Sequence, residues 1–166
     1  LDHLVDFVHG DATAIPLLSS CYDILIGQES WLHIPDKAAL ISECARVLKP
    51  GGTIAFTDVV MRSSLDQSTE ERLAAEMQTA NIASAESYAA LLEKHGCAVA
   101  AQDDLTGEWK DILVKRLEMY RSLRDTTVTK FGESRYQEYD NAYSHFVGCF
   151  VANKLGGVRM VARKAA

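Results

Sequence analysis

The segment Tyr22–Gly52 limits the possible folds more than any other part of the sequence, because it has the pattern of a strand, a loop, a helix and a sharp turn in succession. Tyr22–Ile26 is a short apolar run, typical of a strand covered on both faces inside a parallel sheet. Asp36 can cap the helix that follows. Lys49–Gly52 ends this helix, since proline cannot continue it and glycine accepts a positive φ. A second strand is predicted at Thr53–Asp58.

Polar and aromatic residues gather in the loop 28–33, directly after the first of these strands. Open α/β sheets bind ligands at the carboxyl ends of their strands, so this loop is the candidate functional site. A structural interpretation also exists for two of its residues. Trp31 can simply pack on the following helix, and His33 can bond a backbone carbonyl as a turn residue.

Composition and charge limit the class of protein. With 166 residues, of which 48% are hydrophobic and 24% charged, the chain is long enough for one core, and we expect a single domain over residues 1–166. The formal net charge of −6 argues against a nucleic-acid partner, because neutralising phosphates requires clustered Lys and Arg. No apolar run approaches the length of a membrane span, so we expect no membrane partner.

The four cysteines, Cys21, Cys44, Cys97 and Cys149, lie far apart in the sequence. None has the C-x-x-C or Cys/His spacing of a metal site, so we predict no bound metal. Their apolar surroundings are typical of reduced, mostly buried thiols, and we expect a cytoplasmic protein.

Several short motifs carry a family resemblance when taken together. They are GDA at 10–12, QESWLH at 28–33, PDK at 35–37, VLKPGG at 47–52 and TD at 57–58. This order resembles the middle of a class I S-adenosylmethionine-dependent methyltransferase. The small-molecule branch is the most similar, with enzymes that act on sarcosine and dimethylglycine, on phosphoethanolamine, or on sterols and tocopherols.

The resemblance implies an α/β fold: a Rossmann-like, mostly parallel sheet with an antiparallel last strand. It also implies S-adenosylmethionine as the cofactor. In the resembled family, the residues at Gly10, Asp11 and Ala12 contact the adenine, with the acidic side chain accepting a hydrogen bond from its amino group. Asp11 has a second interpretation, as a cap of the turn into residues 13–17.

By the same resemblance, Gln28, Glu29 and Ser30 pass beside the methionine part of the cofactor. Methyl transfer from a sulfonium needs an in-line approach and a desolvated pocket more than acid–base help. A protonated amine acceptor must still lose its proton, and His33 or Glu29 is the nearest candidate base. Trp31 is a candidate for shaping the acceptor pocket.

The family's glycine-rich loop and the acidic residue that holds the ribose are absent from this sequence. The resemblance therefore predicts the C-terminal part of a methyltransferase domain, without its N-terminal strands. We expect Leu4–Val8 to be a strand that has lost its usual neighbour. Because an unpaired strand edge invites association, we expect it to pair with a second copy or a partner chain, in a homodimer for example.

The second half of the chain resembles the family mainly in the order of its elements. We expect a lid-like insert at 58–85, a helix at 86–95, a strand at 97–101 and a last strand near the C-terminus. Between them, segment 108–155 has the pattern of two long helices and is expected on the acceptor side of the site.

Tyrosines recur at helical spacing in this segment, at Tyr136, Tyr139 and Tyr143. An aromatic stripe of this kind is typical of a core or of a contact between helices. The alternative is that the three rings hold a methylated ammonium by cation–π attraction, which makes them candidate substrate-binding residues.

The first hypothesis for function is methyl transfer to a small-molecule acceptor. The alternative is a truncated or accessory, non-catalytic subunit that self-associates through its sheet edge. A nicotinamide dehydrogenase is a weaker third hypothesis, because no Tyr-x-x-x-Lys pair of the usual kind is recognisable and the LKPGG turn is typical of the first class.

Overall fold

The computed structural model describes residues 4–166. Four strands form one sheet: β1 (Tyr22–Gln28), β2 (Leu48–Met61), β3 (Cys97–Asp104) and β4 (Leu155–Lys164). A 3-10 turn at Trp31–His33 follows β1. The helices are α1 (Lys37–Val47), α2 (Gln67–Met77), α3 (Ala85–Lys94), α4 (Thr106–Ser122), α5 (Arg124–Phe131) and α6 (Glu133–Val151).

The sheet has the order β1-β2-β4-β3. β1 pairs with β2 in parallel, whereas β4 lies between β2 and β3 and is antiparallel to both. Three of the four strands therefore point the same way, and the last strand of the chain opposes them. This confirms the predicted fold, a mostly parallel sheet with an antiparallel last strand.

Helices cover both faces of the sheet. On one face, α1 and α3 bury the side chains of Leu40 and Leu92 against those of Ile54 and Met160. A second cluster contains Leu117 of α4, Phe150 of α6 and Leu155 of β4. The sheet is thus the middle layer of a three-layer α/β arrangement, in which two separate hydrophobic clusters stabilise the packing.

The predicted start of α1 is confirmed. Asp36 is the N-cap, and its Oδ1 accepts a 2.9 Å hydrogen bond from the backbone N–H of Ala39. The helix ends at Val47, and Gly51, in the irregular first part of β2, has a positive φ of 74°.

The prediction that β1 is covered on both faces is wrong. β1 is one of the two edge strands of the described sheet, and Ile24 and Ile26 are 61% and 77% exposed. Only Leu25 packs partly against the cluster under α1 and α3. An apolar run predicts burial, but it does not specify which neighbouring element would cover the strand.

The predicted strand at Leu4–Val8 is also wrong. Residues 5–10 form no regular structure, and the Phe7 side chain is 96% exposed. A strand needs a neighbour for its N–H and C=O groups, and residues 5–10 pair with none of the described strands. The described sheet has two edge strands, β1 and β3, and the pairing of residues 4–8 with a second copy or a partner chain stays a prediction.

The helical segment near the C-terminus differs from the prediction of two long helices in 108–155. The first of them is divided at Leu123 into α4 and α5. The second is α6, whose N-cap residue is Gly132 with a φ of 86°. Glycine accepts this conformation at little steric cost, so the break follows from backbone freedom.

The cysteines are free; Cys21 is exposed and the other three are buried. Within residues 4–166, no group of three or more His, Cys, Asp or Glu side chains is arranged to hold a metal ion. None of the helices described for this chain has both the length and the apolar character required to cross a bilayer.

Candidate functional site

The backbone of Glu29 occupies an unusual conformation directly after β1. Its φ is 49°, in the left-handed region that non-glycine residues rarely adopt. The N–H of Glu29 donates a 2.8 Å hydrogen bond to the carbonyl of Thr57, which continues the ladder between β1 and β2. Such strained residues persist only where neighbouring structure fixes them, and they are concentrated at functional sites.

A buried carboxylate fixes the loop from the other side. Asp58 lies on β2, fully buried, and its Oδ2 accepts a 2.7 Å hydrogen bond from the hydroxyl of Tyr88 on α3. Its Oδ1 accepts a longer bond of 3.3 Å from the backbone N–H of Leu32. Burial raises the pKa of Asp58, and these two hydrogen bonds oppose the rise.

Lys37 is the second buried charge under the loop. Its ammonium donates hydrogen bonds to the carbonyls of Trp31 (2.7 Å), Ile34 and Asn81 (2.7 Å). Burial lowers its pKa to about 8, and the charge of Asp58 partly opposes the change. The side chain thus ties the loop after β1 to the segment between α2 and α3.

Trp31, which is predicted to shape the pocket of the methyl acceptor, lies in the core of the described structure. It is 4% exposed, and its ring stacks on Phe56 with the centroids 4.0 Å apart. A Cβ added to Gly27 would lie 2.4 Å from its indole nitrogen, so glycine at 27 makes room for the ring. These contacts give Trp31 a packing role, whereas the predicted contact with an acceptor is not tested by them.

His33, a predicted catalytic base, lies at the surface of the same loop. Its Nδ1 is 2.9 Å from the carbonyl oxygen of Gln78, which follows α2. This contact fits the interpretation of His33 as a turn residue. It also leaves Nε2 free of hydrogen bonds from residues 4–166, so the role as a base stays a prediction.

The segment around Asp11 is held by its own hydrogen bonds. Oδ1 of Asp11 accepts bonds from the backbone N–H and the hydroxyl of Thr13, at 2.8 and 2.7 Å. These bonds lower the pKa of Asp11 and keep it ionised. Gly10 is required locally, because an added Cβ would lie 2.6 Å from the ring of Pro16. The neighbouring Ala12 packs partly against the core.

An ion pair on α1 fixes the chain that follows Asp11. Arg46 donates to the carbonyls of Ile15 and Leu17 at 2.8 and 2.9 Å. Its partner Glu43 accepts a 2.8 Å bond from the backbone N–H of Ile15. The segment from Ile15 to Leu17 is therefore fixed to α1 by both charged groups.

A pocket opens between the loop after β1 and the helices α4 and α6, with a volume of about 190 Å³. Glu29 and Arg116 supply its charged groups, and both side chains are exposed to solvent. The other lining residues are apolar or aromatic: Val59, Trp109, Ile112, Leu113, Phe146 and Phe150. The pocket combines an apolar floor with two charged groups of opposite sign.

The predicted tyrosines belong to a column of aromatic rings along α6. Tyr136 stacks on Tyr120 of α4 at 5.0 Å, and Tyr139 stacks on Tyr143 at 5.7 Å. Tyr136 and Tyr143 are buried, whereas Tyr139 is 47% exposed. The column continues from Tyr143 through two phenylalanines that line the pocket. None of the three tyrosines lines the pocket itself.

The structure brings Glu29 together with the helical segment, and Asp11 and His33 do not line the same pocket. No hydrogen bond among the described residues joins the segment 10–12 to the segment 28–30. Sequence analysis missed the roles of Asp58, Lys37 and Arg116. The signal for Asp58 was a carboxylate within an apolar strand; Arg116 offered none, since it is one of several charges on α4.

Comparison with protein families identifies residues 1–56 as matching a model described as a methyltransferase domain. The chain is 31% identical to methyltransferase GfsG of Streptomyces halstedii over 109 residues, which are 64% of this chain and 39% of that protein. It is 25% identical to 27-O-demethylrifamycin SV methyltransferase of Amycolatopsis mediterranei, over 99% of this chain and 60% of that protein.

Phosphoethanolamine N-methyltransferase 1 of Zea mays is 24% identical over 84% of this chain and 28% of that protein. The chain thus spans between about a quarter and three fifths of the length of these three relatives.

Solved structures have the same fold. Phosphoethanolamine N-methyltransferase 2 of Haemonchus contortus, determined with phosphomonomethylethanolamine and S-adenosylhomocysteine, aligns with a TM-score of 0.82 at 22% identity. The alignment covers 94% of this chain and 36% of that one. The cyclase SpnF aligns with a TM-score of 0.77 at 22% identity, over 100% of this chain and 58% of that one. Residues 1–56 thus match a methyltransferase domain, and the chain has the fold of the methyltransferases to which it is similar.

Proposed function

We propose that the protein takes part in methyl transfer from S-adenosylmethionine to a small-molecule acceptor. The observation that supports this most is the pocket in which Glu29, held in a strained conformation after β1, faces the aromatic floor formed by α4 and α6. A fold alone does not fix the chemistry, as the cyclase among the structural neighbours illustrates. The pocket and the sequence relatives together favour methyl transfer.

The residues assigned to the cofactor have the chemistry that S-adenosylmethionine requires. Asp11 uses only Oδ1 for its bonds to Thr13, so Oδ2 is available to accept a hydrogen bond from an adenine amino group. The loop is preorganised for this contact, with Gly10 packed on Pro16 and Ala12 on the core. On the other side of the site, Gln28, Glu29 and Ser30 are proposed to lie beside the methionine part.

When bound, S-adenosylmethionine supplies an electrophilic methyl group on a sulfonium. The acceptor atom forms a bond to the methyl carbon while the sulfur–carbon bond breaks, and S-adenosylhomocysteine leaves. The protein must hold the acceptor in line with the sulfur–methyl bond and exclude water. The apolar floor that Trp109 and Phe146 help to form is suited to both tasks.

An ammonium acceptor must lose its proton before its nitrogen can attack. Glu29 is the candidate that lines the pocket, and a carboxylate there both attracts the cation and accepts the proton. His33 remains the second candidate, through the ring nitrogen that is not directed at Gln78. An acceptor that reacts through oxygen or carbon must also lose a proton, which one of these two groups would accept.

The remaining assignments concern the acceptor side. Segment 108–155 is proposed as the acceptor-side wall and segment 58–85 as a lid-like insert. Tyr136, Tyr139 and Tyr143 would act mainly by fixing the pocket-lining phenylalanines, with Tyr139 the most accessible to a cationic acceptor. Trp31 would support the loop from beneath through its stack on Phe56, rather than contact the acceptor directly.

The test has two measurements on the protein. Titration calorimetry with S-adenosylmethionine checks cofactor binding, with Asp11→Asn as the variant that removes the carboxylate and should weaken binding about tenfold. Transfer of a labelled methyl group to a panel of small amines, acids and alcohols checks the reaction, with Glu29→Gln against Glu93→Gln as an exposed control on α3. A folded protein that neither binds the cofactor nor labels any acceptor would contradict the proposal.

A second candidate function is a non-catalytic subunit that self-associates through its sheet edge. The observation that favours it is the exposed apolar face of β1 at Ile24 and Ile26. A homodimer through β1 would be detected by analytical ultracentrifugation and abolished by Ile26→Lys. A monomer at high concentration would contradict this candidate.

We also propose a cytoplasmic location for the protein, and fractionation of the source cells would test it.

A further inference from the structure

A second cavity, of about 430 Å³, lies between α2, the end of β2 and the connector 78–84 that joins α2 to α3. It is larger than the pocket that contains Glu29, which has about 190 Å³, and the two share no lining residue. Its volume is within the range of ~300–1,000 Å³ that is typical of small-molecule sites. Most of its wall is apolar and is formed by Met61, Leu65, Leu73, Ala74 and Ile82.

Two carboxylates give this cavity a negative charge. Glu70 and Glu71 line it, both residues are exposed, and neither takes part in an ion pair among residues 4–166. The next residue along α2, Arg72, does not neutralise them, because its guanidinium is paired with Glu76 at 2.8 Å. An apolar wall beside two uncompensated carboxylates fits a molecule that has an apolar body and a positive charge.

Thr79 adds a hydrogen-bonding group to the same cavity. The residue lines the cavity and is only 6% exposed. Its hydroxyl forms no hydrogen bond with residues 4–166, and the protein does not enclose its oxygen completely. The hydroxyl therefore opens onto the cavity, where its oxygen can accept a hydrogen bond from an ammonium group.

The connector that closes this cavity also holds the loop after β1. The backbone N–H groups of Ala80 and Asn81, both in the cavity wall, donate to the carbonyl of Leu32 at 3.1 and 3.2 Å. The side-chain amide of Asn81 donates to the carbonyl of Pro35 at 2.9 Å, and the Asn81 carbonyl accepts a 2.7 Å bond from Lys37. A molecule in the cavity would thus contact the residues that fix the loop of the candidate site.

We propose that this cavity is a second binding site, which takes a small molecule with an apolar body and a cationic end. Glu70 and Glu71 attract the positive charge, and the Thr79 hydroxyl accepts a hydrogen bond from it. When the cavity is filled, the connector shifts the loop after β1 through its bonds to Leu32. This second site goes beyond the proposed function, because neither its ligand nor its effect on the loop depends on methyl transfer.

The experiment follows the δ-methyl signal of Ile82 by NMR, because Ile82 lines this cavity and not the pocket that contains Glu29. The signal is assigned with Ile82→Val. The probes are phenethylamine, phenethyl alcohol and phenylacetate, which share an apolar ring and differ in charge. The amine is expected to bind about tenfold more tightly than the alcohol, and phenylacetate should not bind. Binding of the amine should also shift the amide signal of His33, which shares a peptide group with the Leu32 carbonyl.

Two variants and a control test the cationic end of the ligand. Glu70→Gln should weaken the binding of phenethylamine about fivefold. Glu108→Gln removes the same charge from the first turn of α4, outside the cavity, and should leave binding unchanged. Thr79→Val removes the hydroxyl, which has no protein partner to lose, and should weaken binding severalfold while the protein stays folded.

Three results would overturn the second site: an Ile82 signal that phenethylamine does not shift, equal binding of the three probes, or equal binding by Glu70→Gln and Glu108→Gln. A shift of Ile82 without a shift of His33 would also overturn the proposal, because the connector would then isolate the cavity from the loop. A protein that binds phenethylamine in this way but transfers no methyl group would contradict the proposed function and leave the second site intact.

Discussion

Tyr88 on α3 donates a 2.7 Å hydrogen bond to the carboxylate of Asp58 on β2, and both side chains are completely buried. Their pairing lies beneath the loop that carries the candidate site. Because Asp58 also accepts from the backbone of Leu32, the bond links the helix layer to the position of the loop.

Replacing Tyr88 by Phe should lower the free energy of unfolding by about 1–3 kcal/mol, since a buried carboxylate oxygen loses its donor. The deficit should shrink at low pH, because burial already raises the pKa of Asp58 and a protonated carboxyl no longer needs that donor. Urea unfolding at two pH values measures both effects.

The matched control is Tyr139→Phe, in which the same hydroxyl is removed from a ring that is 47% exposed. Its free energy of unfolding should change by less than about 0.5 kcal/mol. Equal deficits in the two variants would show that the bond between Tyr88 and Asp58 contributes nothing specific.

Lys37 should raise the free energy of unfolding as the pH increases through the alkaline range. Its pKa is about 8 in the folded protein, below the ordinary value of 10.5, so the unfolded chain holds the proton more tightly between these values. The contribution of Lys37 to the free energy of unfolding therefore increases as pH rises from about 8 towards 10.5. The expected gain is roughly 1–3 kcal/mol.

Lys37→Met isolates this effect. The variant should be less stable at neutral pH, because three carbonyls lose their donor, and it should lack the rise above pH 8 that Lys37 produces. Lys115→Met, at an exposed position, serves as the control and should retain the rise. A Lys37→Met profile parallel to that of the unchanged protein would contradict the assignment.

The order of elements was predictable because each carries a local signal. Asp36 before an amphipathic run predicts α1, and Gly51 after Pro50 predicts its end; both are found. The direction of β4 followed from the family resemblance rather than from its own residues. Local pattern and family order together were therefore sufficient for the mostly parallel sheet with its antiparallel last strand, but not for residues 4–8.

Burial at the sheet edge was not predictable from sequence. The apolar side chains of Ile24 and Phe7 predict burial, whereas both are exposed in the structure. The roles of Lys37 and Arg116 were hidden for a different reason. A charged residue within a helical pattern is usually solvated, and only the fold shows that one of them caps carbonyls and the other lines a pocket.

Gly27→Ala should disturb the loop through Trp31. The added methyl group would lie 2.4 Å from the indole nitrogen, so the ring must leave its stack on Phe56. We expect a loss of about 1–3 kcal/mol in the free energy of unfolding and a red-shifted Trp31 fluorescence, measured in a Trp109→Phe background. Gly107→Ala, where the added group meets open space, should be within about 1 kcal/mol of the unchanged protein.

Arg46→Lys should loosen the segment that follows Asp11. Lysine keeps the charge but cannot reproduce the planar fork that bonds Ile15, Leu17 and Glu43 at once. Amide exchange at residues 15–21 should become about tenfold faster, while exchange in β2 should stay unchanged. Arg135→Lys, whose ion pair with Glu138 lies at the surface, is the control and should affect neither region.

If the Asp11 loop contributes to cofactor binding, calorimetry on Arg46→Lys should show weaker affinity for S-adenosylmethionine together with the faster exchange. Unchanged exchange at residues 15–21 would show that the ion pair does not hold this segment.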